Sequence, residues 1–405
     1  MFRCVTELKG LVIDIDSFED INFEFWYDIN KSYKCLFITV YDETETEIVQ
    51  MFGQDRVYKM EKFRKLFAPS RNTHEKVLNM LKLNATEVVY VSTSIQFLEH
   101  AMEFLGGSIW ITNQISYEDA SKAPDLICRN SADLLRLLKD GVKGFLGEAC
   151  TFPGEQPHGM IIPVQFEVSG SVYPLYMMGR YFGYSHYMSQ LHPYSSAIFL
   201  NKKEGKSYYG KYDKKFGRLY MLAVDRIMKR NNIYGICSVP VRPEKPNRFE
   251  KIIKDIAHEC GIADLSSEFV CTQSYPSQKN LSQSERAENI KGVFKYNGNL
   301  TDRNVIIIDD IISTGSTMRE CIHELKEKGA NEIFIVVLAV NQMQGIYWSS
   351  ENAKVSCPFC DEKMHLLING RTGEFFYSCY ACHHSIGFED GRELLCEEVN
   401  NEFSN

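Results

Sequence analysis

The chain has 405 residues, 44% of them hydrophobic, and a formal net charge of −8. That length points to two or three domains with full cores, and the negative balance excludes a protein that coats polyanions over its whole surface, although charge is free to concentrate locally. No apolar run is long enough to cross a bilayer and Met1 to Lys9 is mixed polar, so neither a membrane contact nor a secretory signal is expected. Thirteen cysteines is an odd number; four form a metal motif and nine are scattered through apolar stretches. That usage suits a reducing, cytoplasmic setting with buried thiols, not a disulfide scaffold.

Residues 1–140 alternate short apolar runs with amphipathic segments. Leu11 to Asp16 reads as a strand ending in two spaced carboxylates, Asp14 and Asp16, and Leu36 to Thr39 as a second ending in a hydroxyl. Val88 to Val91 and Ile109 to Thr112 are further strands, with helices over Ile95 to Leu105 and Ala132 to Leu138. The pattern predicts α/β layers around a parallel sheet. This stretch resembles a haloacid dehalogenase-like (HAD) phosphatase domain. The resemblance implies that Asp14 and Asp16 are the nucleophile and general-acid pair and that Thr39 is the phosphate-binding hydroxyl. The departures are specific. Thr93 and Phe97 stand where that family places metal-binding acids, Ala68 (before Pro69) where a lysine holds the phosphate, and Phe18 where a small residue follows the acid pair. Without the second acidic cluster, Mg²⁺ loses ligands it needs to neutralise a phosphoryl group. The expectation is a HAD-like remnant without phosphatase activity, available for packing, partner docking or a homodimer contact. A carboxylate supplied from elsewhere, Glu99 or Asp119, would overturn it. On the residues alone, Asp14 and Asp16 also read as a solvated strand end.

Residues 141–159 are rich in Gly and Pro and read as a linker. Met160 to Phe199 is aromatic-rich, with Tyr173, Tyr176, Tyr181, Phe182, Tyr184, Tyr187 and Tyr194; such rings build a core or stack on a planar base. From Asn201 to Lys254, 15 basic residues face 5 acidic ones, an asymmetry in a chain that is acidic overall. Part of it is a solvated helix face. Arg242 and Arg248 follow the strand Gly235 to Val239, where fork-shaped guanidinium groups suit a pyrophosphate.

Asn304 to Val340 is the stretch with the clearest chemistry. Val305 to Ile308 is a buried-strand run, with Asp309 and Asp310 where that strand should end. The loop Ser313, Thr314, Gly315, Ser316, Thr317 opens a helix with apolar residues at Met318, Cys321, Ile322 and Leu325, terminated at Gly329; Glu332 to Val340 is the next strand. A small-residue loop at a helix N-terminus presents N–H groups to an anion, and two carboxylates beside it accept bonds from sugar hydroxyls. Together they describe a ribose 5-phosphate; the plain alternative is a capped turn with two solvated aspartates. VIIIDDIISTGST resembles the signature of type I phosphoribosyltransferases, which bind phosphoribosyl pyrophosphate (PRPP). Gln278 to Phe294 and Ser238 to Phe249 resemble the flanking pattern of the competence protein F (ComF)-like members. The resemblance implies that Ser313 to Thr317 hold the 5-phosphate and Asp309 and Asp310 the ribose. It further implies Mg²⁺ with Arg242 or Arg248 on the pyrophosphate, a hood built by the aromatic stretch, and a mobile loop carrying Lys279 and Arg286 that closes over the site.

Cys357, Cys360, Cys379 and Cys382 form C-x2-C-x18-C-x2-C, the ligand spacing of a closed structural zinc. His365, His383 and His384 are spare donors. The segment resembles the zinc ribbon of bacterial primases, which raises nucleic-acid contact, whereas the acidic tail Glu389 to Glu402 argues against it; a purely structural ribbon and a nucleic-acid contact both stay open. The expected architecture is α/β: two parallel-sheet domains, HAD-like (residues 1–140) and phosphoribosyltransferase (160–345), and a small zinc ribbon with its tail (346–405). The leading reading is phosphoribosyl transfer from PRPP to an unidentified, base-like nitrogen acceptor. The alternative is a non-catalytic PRPP or nucleotide sensor with nucleic-acid contact, in DNA uptake or stress response.

Overall fold

Continuous apolar runs become strands covered on both faces, and the computed structural model of the chain builds its two large sheets from them. It describes residues 5–140, 144–151, 159–206, 208–275, 283–343 and 354–403. In the N-terminal unit, β1 (Gly10–Asp14), β2 (Lys34–Thr39), β3 (Val57–Lys59), β4 (Val88–Ser92), β5 (Gly107–Ile111) and β6 (Leu126–Cys128) are all parallel, in the order β3-β2-β1-β4-β5-β6. Helices α1 (Phe23–Asn30), α2 (Asp42–Phe52), α3 (Arg71–Leu81), α4 (Ile95–Glu103), α5 (Tyr117–Ala120) and α6 (Ser131–Asp140) connect or follow them. Strand order reverses between β1 and β4, so Asp14 sits at the switch point where open α/β sheets take ligands. The first strand is shorter than the sequence suggests: Ile15–Ser17 coil into a single 3-10 turn, which swings Asp16 toward Thr39.

The described part of the 141–159 stretch differs from a linker. It contains α7 (Leu146–Ala149), whose four residues are all buried. The second sheet follows: β7 (Ile162–Val168), β8 (Ser171–Met177), β9 (Arg180–Tyr181), β10 (Gly235–Ser238), β11 (Ala263–Asp264), β14 (Val305–Ile312) and β15 (Ile333–Asn341), in the order β11-β10-β14-β15-β8-β7 with β9 also on β15. β12 (Phe269–Cys271) and β13 (Phe294–Tyr296) form a separate antiparallel pair. The β7–β8 hairpin is antiparallel at the edge, and β7 alternates buried and exposed residues as such a strand should. Helices α8 (Pro193–Asn201), α9 (Asp213–Met228), α10 (Glu250–Cys260), α11 (Gln283–Ile290) and α12 (Ser316–Glu327) complete the unit. β14 runs on to Ile312, so Asp309 and Asp310 lie inside the strand, not beyond its end. Pairing with β15 continues through Ile312–Val340, whereas pairing with β10 stops at Ser238 opposite Ile308. The aspartates occupy the part of the strand whose β10 side has opened.

At the C-terminus, β16 (Met364–Ile368), β17 (Phe375–Cys379) and β18 (Ser385–Gly387) form an antiparallel sheet, followed by α13 (Phe388–Glu402). The ribbon is packed on both other units. Tyr212 Oη on the middle unit donates to Gly373 O (3.2 Å), and Thr86 N in the N-terminal unit donates to Asn400 Oδ1 (3.1 Å). Phe403 meets the His74 ring edge-on at 4.6 Å, with Arg71 over its face. His74 is 1% exposed and its Nδ1 lies 2.6 Å from the Tyr90 hydroxyl. Burial, helped by Arg71, pulls the His74 imidazole down to about 3 from 6.5. The folded pKa is depressed below the unfolded one, so the unfolded state takes up the proton first and stability falls as pH drops below 6.5. The loss is about 1.4 kcal/mol per pH unit. Thermal melts between pH 7.5 and 5 are expected to show this slope, and His74→Gln, which keeps a polar partner for Tyr90, to flatten it.

Candidate functional site

The acid pair of β14 is asymmetric. Asp310 Oδ2 pairs with Arg248 Nη2 at 2.8 Å and Lys202 Nζ at 3.2 Å, and its Oδ1 accepts from Ile311 N at 2.7 Å. Burial pushes Asp310 up, but the two cations outweigh it and hold the carboxyl below its usual range. Asp309 Oδ1 accepts from Asp310 N (2.8 Å), and among the described residues Asp309 has no ion-pair partner. Burial and the Asp310 charge raise its pKa. The backbone beneath is fixed by Tyr220, whose hydroxyl donates to Asp309 O at 2.7 Å. Asp309 is therefore the carboxylate with capacity left for a sugar hydroxyl or a hard cation such as Mg²⁺.

The loop between β14 and α12 turns on Gly315, at φ +76° in the left-handed region. A Cβ there would lie 2.8 Å from both Arg319 Nη1 and Phe166 Cε2. Arg319, one turn into α12, reaches back to donate to Thr314 O at 2.6 Å. Ser313 is exposed, Thr314 and Thr317 half-buried and Ser316 buried, with Thr314 Oγ1 and Ser316 Oγ 3.2 Å apart. The helix starts here because Gly315 caps it, and it ends where Gly329 (φ +88°) follows Lys328.

Arg242 donates to Tyr275 O (3.0 Å) and stacks over that ring at 5.2 Å, whereas Arg248 is turned onto Asp310. Lys279 lies outside the described residues. Arg286 falls on the helix α11, not in a loop, and only its backbone is described. Of the aromatic stretch, Phe182, Tyr187 and Tyr194 are core and Tyr184 is exposed. Tyr181 stands by the site, its phenol raised to about 12 by burial and the Asp310 charge. Lys202 was not singled out by the sequence reading; its place in the basic stretch was the available signal.

In the N-terminal unit Asp14, Asp16 and Thr39 come together. Thr39 Oγ1 and Val40 N donate to Asp16 at 2.5 and 2.9 Å, and Ser92 Oγ donates to Asp14 Oδ2 at 2.8 Å. Lys65 Nζ lies 2.7 Å from a carboxylate oxygen of each aspartate. The ammonium that the sequence reading missed at Ala68 is thus supplied three residues earlier. Burial raises the Asp14 pKa despite this cation. Thr93 binds the Ser17 backbone and Phe97 is buried. Glu99 pairs with Lys122 (3.1 Å) and Asp119 accepts from Ser116 Oγ (2.8 Å), so both candidate replacement acids are engaged away from Asp14.

The Sγ atoms of Cys357, Cys360, Cys379 and Cys382 lie within 4.8 Å of one another, with Cys357–Cys382 and Cys360–Cys379 at 3.5 Å. A tetrahedron with ~2.3 Å Zn–S bonds has edges of about 3.8 Å, so the four thiolates fit zinc. His384 Nδ1 lies 3.4 Å from Cys382 Sγ, as an outer contact. Metal analysis is expected to find one zinc per chain and none in Cys379→Ser. Because structural zinc binding is local folding energy, and α13 seats Phe403 on His74, the variant should also melt earlier and expose the α3 region to protease.

Residues 247–361 match the family of phosphoribosyl transferase domains, a little over a quarter of the chain. The chain is 47% identical over 49 residues to transcriptional regulator GfcR 2 of Methanosarcina barkeri, covering 12% of this chain and 24% of that protein. It is 27% identical over 84 residues to transcriptional regulator GfcR of Picrophilus torridus, covering 20% and 37%. The chain thus spans about a quarter to a third of the length of these curated relatives. Among solved structures, the UMP synthase of Leishmania donovani aligns over 82% of this chain and 86% of its own, at 11% identity and a TM-score of 0.22, too slight to speak for a shared fold. Asp309, Asp310 and the loop Ser313 to Thr317 all lie within the residues that match this family.

Proposed function

We propose that the chain binds PRPP and transfers its phosphoribosyl group to a base-like nitrogen acceptor. The observation that carries this is the succession, on one strand and its turn, of a half-buried carboxylate without an ion-pair partner among the described residues, a cation-paired carboxylate and a glycine-turned loop opening α12. The 5-phosphate is received by the loop amides and the hydroxyls of Thr314, Ser316 and Thr317 at the positive helix end. Asp309 and Asp310 accept the ribose hydroxyls. As the bond from C1 to the pyrophosphate oxygen breaks, positive charge grows on the sugar and is stabilised by these carboxylates, while Arg248 and Lys202, the cations on Asp310, favour the departing anion, with Arg242 as a further candidate. The acceptor nitrogen gives its lone pair to C1 and pyrophosphate leaves. Asp309 is the residue that would hold Mg²⁺, which supplies charge neutralisation for the pyrophosphate. The ComF-like flanks support this assignment, with Lys279 as a closing group. In the N-terminal unit, the order of the sheet and the Asp14, Asp16, Thr39 cluster support a HAD-like domain. Thr93, held on the Ser17 backbone, and buried Phe97 bring no carboxylate to Asp14, which supports its having no phosphatase activity. The test is pyrophosphate release from PRPP and Mg²⁺ across a panel of bases.

A second reading has its own support. Phe359 and Tyr380, one on each cysteine knuckle, are 63% and 59% exposed and stack on His384 and His365 at 3.9 and 4.2 Å. Exposed rings suit unpaired bases, and the matched relatives carry regulator names. A cytoplasmic PRPP-responsive regulator would bind PRPP without releasing pyrophosphate with any base.

A further inference from the structure

The N-terminal unit reaches the phosphate loop of the middle unit through α5. This four-residue helix is stapled at both ends. Before it, Ser116 bridges to Gln165 of β7, and Gln165 N donates to Ile115 O at 2.8 Å. After it, Gln342 Nε2 beyond β15 donates to Ala120 O (3.0 Å) and Met343 N to Ser121 O (2.7 Å). Tyr117, at its first position, is 6% exposed, and its ring packs edge-on to Phe166 at 5.0 Å. The Tyr117 hydroxyl donates to the carbonyl of Ser313, the first residue of the loop. Arg319 lies over both rings and holds the next carbonyl, Thr314 O.

A peptide group is planar and trans, so fixing a carbonyl fixes the following N–H in the opposite direction. Holding Ser313 O toward Tyr117 aims the Thr314 N–H away from it, and holding Thr314 O toward Arg319 does the same for the Gly315 N–H. Among the described residues neither amide donates a hydrogen bond within the protein. We propose that Tyr117 is a positioning residue for the phosphate loop: the N-terminal unit, through this one hydroxyl, pre-aims the amides that receive the 5-phosphate. The fused unit then has a role in the neighbouring site that needs no chemistry of its own. Burial raises the Tyr117 phenol, so it stays a donor across the physiological range.

The inference rests on the reading of Ser313 to Thr317 as the phosphate site, and the experiment separates the two. Tyr117→Phe keeps the ring stack and removes the donor. The control is Tyr187→Phe, which removes another tyrosine bond across the same interface, from Tyr187 Oη to Met102 O at 2.9 Å, away from the loop. In full-length protein, calorimetry with PRPP and Mg²⁺ is expected to show about tenfold weaker binding for Tyr117→Phe, the scale of one misaligned charge-assisted bond, and wild-type affinity for Tyr187→Phe. Amide exchange over Ser313–Thr317 without ligand should quicken only in Tyr117→Phe. A Tyr117→Phe protein that binds PRPP as tightly as the control overturns the proposal. If wild type itself does not bind PRPP, the reading of the site fails, and exchange alone then decides whether the brace exists.

Discussion

Asp309→Asn combined with Asp310→Asn is expected to weaken PRPP binding by at least ~100-fold and to leave the fold standing. Each carboxylate contributes charge-assisted bonds to sugar hydroxyls, and two such losses sum to that scale. The single variants should separate. Asp309 is raised above its ordinary pKa by burial and by its neighbour's charge, so ionising it costs folding energy at neutral pH. Asp309→Asn should therefore melt later than wild type while binding worse, the trade-off of a functional site that stores unfavourable charge. Asp310→Asn should melt earlier, because Lys202 and Arg248 lose their shared partner, though both are part-exposed and solvent screens much of the loss. Wild-type binding should strengthen as pH rises through the raised Asp309 pKa, since only the ionised carboxyl serves a cation or a sugar hydroxyl. Calorimetry and thermal melts on the three proteins decide; unchanged PRPP affinity in the double variant would refute the assignment.

Local sequence carried the parts of this site that are local in space. The β14 run, the loop and α12 fall within one turn of each other, so periodicity and a glycine were enough to see them. The extent of β14 was not legible, because Asp309 and Asp310 stay in strand conformation through pairing with β15, and partners are set by the whole sheet. Lys202 reaches the aspartates from the end of α8 and Tyr220 from α9; the basic stretch marks Lys202 only as one cation among many, and nothing local marks Tyr220. The same holds for Lys65: the family pattern predicts a lysine at Ala68, and only the fold shows an ammonium arriving from the preceding turn. The Gly- and Pro-rich stretch misled for the converse reason. Its composition describes a loop, yet Leu146–Ala149 is buried because Glu148 has a distant guanidinium to meet.

That guanidinium carries the largest stability effect expected in the molecule. Arg180, 2% exposed, meets Glu148 with Nε and Nη2 at 2.9 Å each, and Asp125 of the N-terminal unit with Nη1 at 2.9 Å. Asp125 is completed by Ser108 N and Oγ at 3.1 and 3.0 Å, and His192 lies 3.4 Å from Glu148. Arg180→Met fits the space between Phe145 and Phe182 but leaves two buried carboxylates without their cation. Removing one member of a buried pair costs about 3–5 kcal/mol, more than a well-packed neutral replacement of the whole set. Urea unfolding should show that loss at pH 7.5, and Arg180→Met with Glu148→Gln and Asp125→Asn should recover most of it. The pH dependence follows from the sign of the shift. In wild type burial opposes ionisation of Glu148, but Arg180 and His192 outweigh it and hold the carboxyl well below 4.5. Its stabilisation is present above 4.5 and fades as pH falls through the folded pKa. Without Arg180 the opposition of burial to ionising Glu148 is no longer outweighed by that cation, so the variant gains relative to wild type as Glu148 protonates, and the gap between the two proteins should narrow toward pH 5. A gap that stays constant from pH 7.5 to 5 would mean that Arg180 acts by packing, and that its charge does not hold the units together.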